Sequence, residues 1–239
     1  MARGNLCSQC AVRGSALCCA LSPEQLAAFN RISYRKHYPA GRLLSHIDQE
    51  DRFANVISGV VKLTKALPDG RQQIVELLFP SDFLGRPFGA GGYAAEAASA
   101  VELCCFGRRQ FENLMHEWPG LKQIFLERTL DEIDAAREWM LLLGRKSASE
   151  KVAALVLLVL RRMQVGCDAA TAEPRTARFD LPLSRSEMAD YLGLRIETVS
   201  RQLARLRKTG VIEIPQGRTV VVRDLAALER MACDLTPGR

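Results

Sequence analysis

Four cysteines stand close together near the start of the chain, in the segment NLCSQCAVRGSALCCALS. Cys7 and Cys10 are separated by two residues, and the pair Cys18-Cys19 follows after seven more. The segment has no pattern of a helix or strand that would bury these side chains, so we expect a flexible loop. Clustered thiols can form disulfides, ligate a metal or carry redox chemistry, and the rest of the sequence has to distinguish these uses.

The cellular compartment bears on that choice. The start of the chain lacks the apolar core of a secretory signal, and the most apolar run, residues 152–160, is far shorter than the roughly 20 residues that cross a bilayer. We therefore expect a cytoplasmic protein that has no membrane partner. Because the cytosol keeps thiols reduced, metal binding or redox chemistry is favoured over disulfides.

The chain has 239 residues, a length that suits one large domain or two ordinary ones. The elements that must position the cysteines change in type along it. Residues 32–106 contain short apolar or alternating runs separated by turns such as Asp69-Gly70, which predicts a small antiparallel β-barrel or sandwich. Cys104 and Cys105 lie on the last of its predicted strands.

A helical period follows, from Phe111 to Gly144, with one narrow apolar seam among charged residues. Such a seam favours a two-stranded contact between two copies of the chain over packing within its own domain. The predicted seam consists of Leu126, Leu130, Ile133, Ala136, Met140 and Leu143. A buried helix over residues 149–163 and a polar connection from Gln164 to Asp180 come next.

The C-terminal segment predicts a winged helix-turn-helix. Ser184, with Glu187 three residues on, forms a capping box for a short helix that ends at Gly193. A second helix is expected from Ile196 to Lys208. Two strands around Pro215-Gln216-Gly217 and a closing helix complete the unit.

This unit carries the residues that could contact DNA. The net charge of +6 is compatible with a nucleic-acid partner, and residues 195–223 concentrate the basic side chains. On the exposed face of the second helix, arginine can bind guanine and a carboxylate can accept from cytosine. The predicted base-reading residues are Glu197, Ser200 and Arg201, and the predicted phosphate contacts are Ser184, Arg185 and Thr198.

The segment ETVSRQLARLRKTGVI resembles the recognition helix of the FNR branch of the cyclic-AMP receptor/FNR superfamily of bacterial transcription regulators. The similarity extends over nearly the whole chain and implies an α+β fold. It implies a cysteine-rich N-terminal loop (1–21), an antiparallel cupin-like β-roll (jelly roll) sensory domain (22–110), a long dimerisation helix (111–145) and a winged helix-turn-helix domain (146–239). It further implies a homodimer on palindromic double-stranded DNA whose half-sites resemble TTGAT, and contact with RNA polymerase through the loops between Asp69 and Arg86.

The resemblance also gives the cysteines a use. FNR-like oxygen sensors hold a [4Fe–4S] cluster with three N-terminal cysteines and one on the last strand of the roll, which implies Cys7, Cys10, Cys18 and Cys104 as ligands. The seven residues before the third cysteine resemble an alphaproteobacterial subgroup rather than the best-known members. Cys19 in place of Cys18, and Cys105 in place of Cys104, remain alternatives.

The same sequence admits other functions. A structural zinc site or a thiol switch on the same scaffold is the main alternative, although zinc sites of four cysteines usually contain two Cys-x2-Cys pairs. An enzyme or electron carrier is disfavoured, since no Gly-rich phosphate loop or nucleophile–base pair is present and no catalytic residues are predicted. A cyclic nucleotide is not expected. The only cation in residues 79–103 is Arg86, which Pro87 follows directly, and no Arg-Ser or Arg-Thr pair that could hold a buried phosphate stands in this region before Val101.

Overall fold

The computed structural model describes residues 7, 9–44, 52–85, 92–164 and 177–233. The chain divides into two compact units, Met1–Ala135 and Ala136–Arg239, which are described separately below. None of the described helices combines the length and apolar character that a membrane crossing requires.

The first unit is built on two antiparallel sheets, which confirms the predicted β-roll. One sheet has the strand order β1-β7-β2-β5 and the other has the order β4-β3-β6. The strands are β1 (Tyr34–Tyr38), β2 (Arg52–Ser58), β3 (Val61–Ala66), β4 (Gln72–Leu78), β5 (Phe83–Leu84), β6 (Ala94–Ala97) and β7 (Val101–Gly107).

Strand β7 is apolar on both faces because it separates two cores. Leu103 and Cys105 belong to the core between the sheets. Cys104 and Phe106 lie on the opposite face, in a second core made with the N-terminal segment and the helices. This assignment follows from the two-residue period of a strand, which sends successive side chains to opposite faces.

The N-terminal cysteine segment differs from the flexible loop that the sequence predicts. Its side chains Val12, Ala16 and Leu17 are buried in the second core, and a short 3₁₀ turn spans Leu17–Ala20. The apolar residues between the cysteines are too few for a periodic pattern, but together they cover the outer face of the four-stranded sheet. Burial of these side chains therefore fixes the segment.

Helix α1 (Pro23–Ile32) follows the cysteine segment. Ser22 and Gln25 form a capping box, in which the Gln25 N–H donates to the Ser22 hydroxyl at 3.2 Å and the Ser22 N–H donates to the Gln25 side chain at 3.0 Å.

The single helix expected over residues 111–145 is two helices, α2 (Arg108–Glu117) and α3 (Pro119–Arg145). Trp118 separates them in an extended conformation, with φ −119° and ψ 92°. Pro119 explains the break, because proline disfavours a helical conformation in the residue before it and suits the first position of a new helix.

The second unit contains helices and a small antiparallel sheet of order β8-β10-β9. Its elements are α4 (Ala148–Gln164), β8 (Ala177–Asp180), α5 (Arg185–Leu192), α6 (Ile196–Lys208), β9 (Ile212–Glu213), β10 (Thr219–Val222) and α7 (Leu225–Met231). The sequence predicts a polar connection from Gln164 to Asp180, but its last four residues form strand β8. Its four residues carry little pattern of their own, and pairing with β10 makes them a strand.

The helix-turn-helix forms through the predicted local signals. The Glu187 N–H donates to the Ser184 hydroxyl at 3.3 Å, and the Ser184 N–H donates to the Glu187 carboxylate at 2.7 Å. Gly193 ends α5 with φ 61° and ψ 42°, a left-handed conformation that glycine adopts without a Cβ clash.

Candidate functional site

One cavity brings together the four cysteines that the family resemblance implies as ligands. Its lining consists of Cys7, Cys10, Val12, Ala16, Cys18, Phe29, Arg35, Asn55, Ile57 and Cys104. Most of the non-cysteine lining is apolar, and Arg35 and Asn55 are the exceptions. The cavity lies between the N-terminal segment and the outer face of the four-stranded sheet, so its two walls come from distant parts of the sequence.

The structure separates the members of each doubled cysteine. Cys18 is buried and lines the cavity, whereas Cys19 is exposed. Cys104 lines the same cavity, whereas Cys105 is 1% exposed and belongs to the core between the sheets. Only Cys18 and Cys104 are therefore positioned to act together with Cys7 and Cys10.

Burial raises the pKa of the Cys7, Cys18 and Cys104 thiols. It raises the pKa of Cys104 to about 12, opposed by a hydrogen bond from Ser33 and increased by the charges of the other three thiols when ionised. Burial likewise raises the pKa of Cys18 to about 11, with Cys10 and Cys7 adding to the effect. Cys18 and Cys104 are therefore protonated at neutral pH, so a metal group that binds thiolates would have to displace their protons.

In the described part of the chain, no group of three or more His, Cys, Asp or Glu side chains is close enough together to hold a metal ion as it stands. The four thiols are spread around a cavity instead of converging on one point. Four thiols around a largely apolar space are a donor set that fits an iron–sulfur cluster, which is larger than one ion and prefers cysteine ligands.

The cysteine segment is tied directly to α3. The Arg128 side chain donates from Nη2 to the backbone oxygen of Ser15 at 2.5 Å. The Ser15 hydroxyl also contacts the Ser81 hydroxyl at 2.5 Å. A contact from the middle of the cysteine segment to the long helix was not predicted, since neither serine nor arginine in these positions carries a sequence signal.

The predicted seam residues of α3 are mostly exposed apolar side chains. The exposed fractions are 59% for Leu126, 54% for Leu130, 43% for Ile133 and 67% for Met140, and Ala136 is exposed as well. Leu143 differs, because it is half-buried near Gly193 of its own chain. Leu141, which the periodicity did not select, is 51% exposed. An apolar stripe of this kind on one helix is suited to a partner helix.

The predicted DNA-contacting residues lie on the outer side of the helix-turn-helix. Glu197 and Arg201 are exposed and Ser200 is half-buried on α6, whose opposite face buries Val199, Leu203 and Leu206. The predicted phosphate contacts are exposed at Arg185 and half-buried at Ser184 and Thr198. The Ser184 hydroxyl also serves as the helix cap, a role that leaves its O–H proton able to donate.

A stacked aromatic pair joins the end of α3 to the helix-turn-helix within the second unit. The rings of Trp139 and Tyr191 lie 3.9 Å apart at an interplanar angle of 22°. Lys151 of α4 donates to the Leu192 carbonyl oxygen at 3.4 Å on the same side of the turn. No sequence pattern indicates this pair, because a contact between residues this far apart depends on the packing of two helices.

Other predicted features are only partly described. Asp69 sits in the turn between β3 and β4, where the Arg71 side chain holds its carboxylate at 2.8 Å. Arg86 and Cys167 lie outside the described residues. The predicted polymerase contact between Asp69 and Arg86 therefore stays a prediction.

Comparison with known proteins gives consistent matches. Residues 150–231 match the Crp-like helix-turn-helix domain and residues 35–117 match the cyclic nucleotide-binding domain. The chain is 47% identical over 230 residues to a probable transcriptional activator of Rhizobium leguminosarum bv. viciae, covering 94% of this chain and 92% of that protein. It is 45% identical to the transcriptional activator protein FnrL of Cereibacter sphaeroides, covering 97% and 94%.

A solved structure supports the same assignment. FixK2 from Bradyrhizobium japonicum aligns with a TM-score of 0.74 and 30% identity, over 87% of this chain and 100% of that chain. The winged helix-turn-helix, the antiparallel roll and these similarities agree along nearly the whole sequence. The chain belongs to the Crp/FNR family of transcription regulators.

Proposed function

We propose that this regulator responds to oxygen through a [4Fe–4S] cluster and binds palindromic TTGAT-like DNA sites as a homodimer when the cluster is intact. The observation that carries the proposal is that Cys7, Cys10, Cys18 and Cys104 line one cavity. Cysteine thiolates are the ligands that [4Fe–4S] clusters use, and a cubane takes four of them.

Cys18 and Cys104 are the favoured members of the doubled cysteines. Cys19 is exposed and Cys105 faces the core between the sheets, so neither lines the cavity. When bound, the cluster supplies a centre that oxygen can convert. The thiols must lose their protons when the cluster binds. Because burial raises the pKa of Cys18 and Cys104, these two thiols are poor nucleophiles at neutral pH before the cluster binds.

The contact between Arg128 and Ser15 supports a link from this site to dimerisation. Arg128 lies on α3 between the seam residues Leu126 and Leu130. A cysteine segment held against β7 by four ligands keeps the Ser15 carbonyl within reach of the Arg128 guanidinium. We expect this contact between Ser15 and Arg128 to favour the conformation of α3 that pairs with a second copy. A ligand can act as a switch only when it stabilises one of two states more than the other.

The DNA-binding part of the proposal rests on α6. Glu197, Ser200 and Arg201 are presented on one exposed side of a helix whose other side is anchored in an apolar core. Arginine to guanine and glutamate to cytosine are contacts that give base discrimination in the major groove. Two such helices in a homodimer read two half-sites of a palindrome. RNA polymerase is the partner that the bound dimer would contact.

No cyclic nucleotide is part of this proposal, although residues 35–117 match a domain family that is named for that ligand. Arg86 is the only cation between Phe79 and Leu103 in the sequence. A cyclic phosphate bound there would need compensating charge, which one arginine followed directly by Pro87 supplies poorly.

The test is anaerobic purification followed by iron, sulfide and zinc counts, with the visible spectrum recorded before and after air. The proposal predicts stoichiometric iron and sulfide and an absorption that air bleaches. A colourless protein with one zinc per chain, or one whose thiols only form disulfides in air, would contradict the cluster. It would support the structural zinc or thiol switch instead.

A further inference from the structure

Two polar side chains flank Cys104 on its own face of the sheet. In the strand register, Arg35 of β1 and Asn55 of β2 are the direct partners of Cys104 on its two sides. Directly paired residues in antiparallel strands point to the same face. Both side chains accordingly line the cavity that the four cysteines share.

Asn55 is buried without the partner that a buried amide needs. It is 2% exposed, and its Oδ1 atom has no hydrogen-bond partner within the described residues. Buried polar atoms are nearly always hydrogen-bonded, so such an atom beside a cavity indicates that the amide is kept for a group that occupies the cavity. Oδ1 accepts and cannot itself bond to sulfur, but a half-turn about the terminal torsion of the side chain puts the NH2 group, with its two N–H donors, in the same position, where it suits an acceptor such as sulfur.

Arg35 brings positive charge to the same wall and is held in place there. Its Nη1 atom donates to the Glu102 carboxylate at 2.9 Å, and the His37 imidazole lies 3.7 Å from the same oxygen. Glu102 is two residues before Cys104 on β7, so it holds the guanidinium on the same face of the strand. Among the described residues that line this cavity, Arg35 is the only charged side chain.

We propose that Arg35 and Asn55 form a polar wall that stabilises the anionic iron–sulfur cluster, Arg35 by its charge and Asn55 by donating to sulfur. The inference rests on the proposed function and deepens it. A cluster with four thiolate ligands carries net negative charge, and burying that charge requires compensation. A protein adjusts the reduction potential of such a centre through hydrogen bonds to its sulfur atoms and through nearby charges.

The test compares the rate of iron loss to a ferrous chelator under anaerobic conditions, followed by visible absorption, in Arg35→Gln, Asn55→Leu and wild-type protein. Partners in this position typically change metal retention by about 10–100-fold, so each variant is expected to lose iron about tenfold faster or more. Lys36→Gln is the matched control. It removes the same charge from the neighbouring position of β1. Lys36 pairs with Leu103 and so lies on the face of β1 towards the core between the sheets, opposite to the cavity.

Two further readouts separate tuning from a folding defect. Removing a donor to sulfur should shift the Fe–S stretching bands in the resonance Raman spectrum of loaded Asn55→Leu. In the cluster-free protein, the same substitution should raise the thermal unfolding midpoint, because it replaces an unsatisfied buried amide with an apolar side chain. Stability and cluster retention would then move in opposite directions.

Two results would overturn the inference. Wild-type protein that holds a full cluster, with unchanged iron loss in both variants, would refute the polar wall alone. Wild-type protein without stoichiometric iron and sulfide would refute the proposed function, and the wall with it.

Discussion

The two units of this chain present their functional residues in opposite ways. In the second unit, Glu197 and Arg201 are exposed on helix α6, whose opposite face is anchored in an apolar core. In the first unit, Cys18 and Cys104 line a cavity and have pKa values raised by burial. The two predicted DNA-contacting side chains are therefore open to solvent, whereas the two cysteine side chains are enclosed between the N-terminal segment and the four-stranded sheet.

Removing Cys104, the one predicted ligand on β7, should have the largest effect of the changes considered. We expect Cys104→Ala to abolish bound iron and sulfide, because three thiols from the N-terminal segment cannot complete the ligand set. The measurement is metal and sulfide analysis of anaerobically purified protein, with circular dichroism to verify folding.

Cys19→Ala is the matched control, since Cys19 is exposed and lies outside the cavity lining. It should keep the full iron and sulfide content. A folded Cys104→Ala protein that retains the cluster, or a Cys19→Ala protein that loses it, would contradict the assignment of ligands.

The seam of α3 is the next test. Ile133→Asp places a charge in each of two facing helices, and we expect the dimer dissociation constant to rise by about 100-fold or more. Sedimentation equilibrium of the loaded protein measures it. Glu138→Gln, at an exposed position away from the stripe, should leave the constant within about twofold. Equal dimerisation of Ile133→Asp and wild type would place the partner surface elsewhere.

Base reading by α6 should be separable from sensing. We expect Glu197→Ala to reduce discrimination at one base pair by about 1–3 kcal/mol, roughly 5–150-fold, while iron content stays at the wild-type value. Competition binding with single-base variants of a TTGAT palindrome measures the discrimination. Loss of the cluster in this variant would show that the two units do not divide the work as described.

The Trp139–Tyr191 stack should have a smaller effect on DNA binding. Aromatic pairs contribute about 0.5–1.5 kcal/mol beyond their buried area, so Trp139→Leu should weaken operator binding by about 2–10-fold. Dimerisation and iron content should not change. If the affinity for DNA is unaltered, the stack does not help to position the helix-turn-helix.

The smallest expected effect concerns acid stability of the second unit. Glu150 accepts from the backbone N–H of Ser147 at 2.5 Å, and a hydrogen bond with Cys233, followed by those with Ser147, lowers the Glu150 pKa to about 2. A lowered pKa contributes stability above the ordinary value near 4.5, and this stability is lost as the pH falls towards 2.

Glu150→Gln should therefore lower stability at pH 6 by a few tenths of a kcal/mol, about what an exposed ion pair or cap provides, and the difference should vanish near pH 2. Urea denaturation across this range measures it. A difference that grows at low pH would contradict the sign.

The sequence was most informative where local signals determine the structure. Helix α6 has the predicted limits, Ile196 to Lys208, because its apolar period is regular and Gly193 separates it from α5. The antiparallel roll was predictable from short alternating runs. Pro119 indicates the division of the long helix, although the helical period on both sides of it alone predicts one continuous helix.

Features that depend on tertiary packing cannot be predicted from the sequence. The choice between Cys104 and Cys105 needs the face of β7 that each occupies, and the choice between Cys18 and Cys19 needs the 3₁₀ turn. Strand β8 forms only through its pairing with β10. The contact from Arg128 to Ser15 and the position of Asn55 beside Cys104 join residues that are distant in sequence, and side-chain type alone does not predict them.

The central claim is that the four-cysteine site controls DNA binding. Its most direct test is an anaerobic fluorescence-anisotropy titration of a TTGAT palindrome with wild type and Cys104→Ala, repeated on the same samples after air. We predict tight binding by wild type that air weakens by at least about tenfold, and weak binding by Cys104→Ala under both conditions. Wild-type binding that survives air after the visible absorption has bleached would contradict the claim.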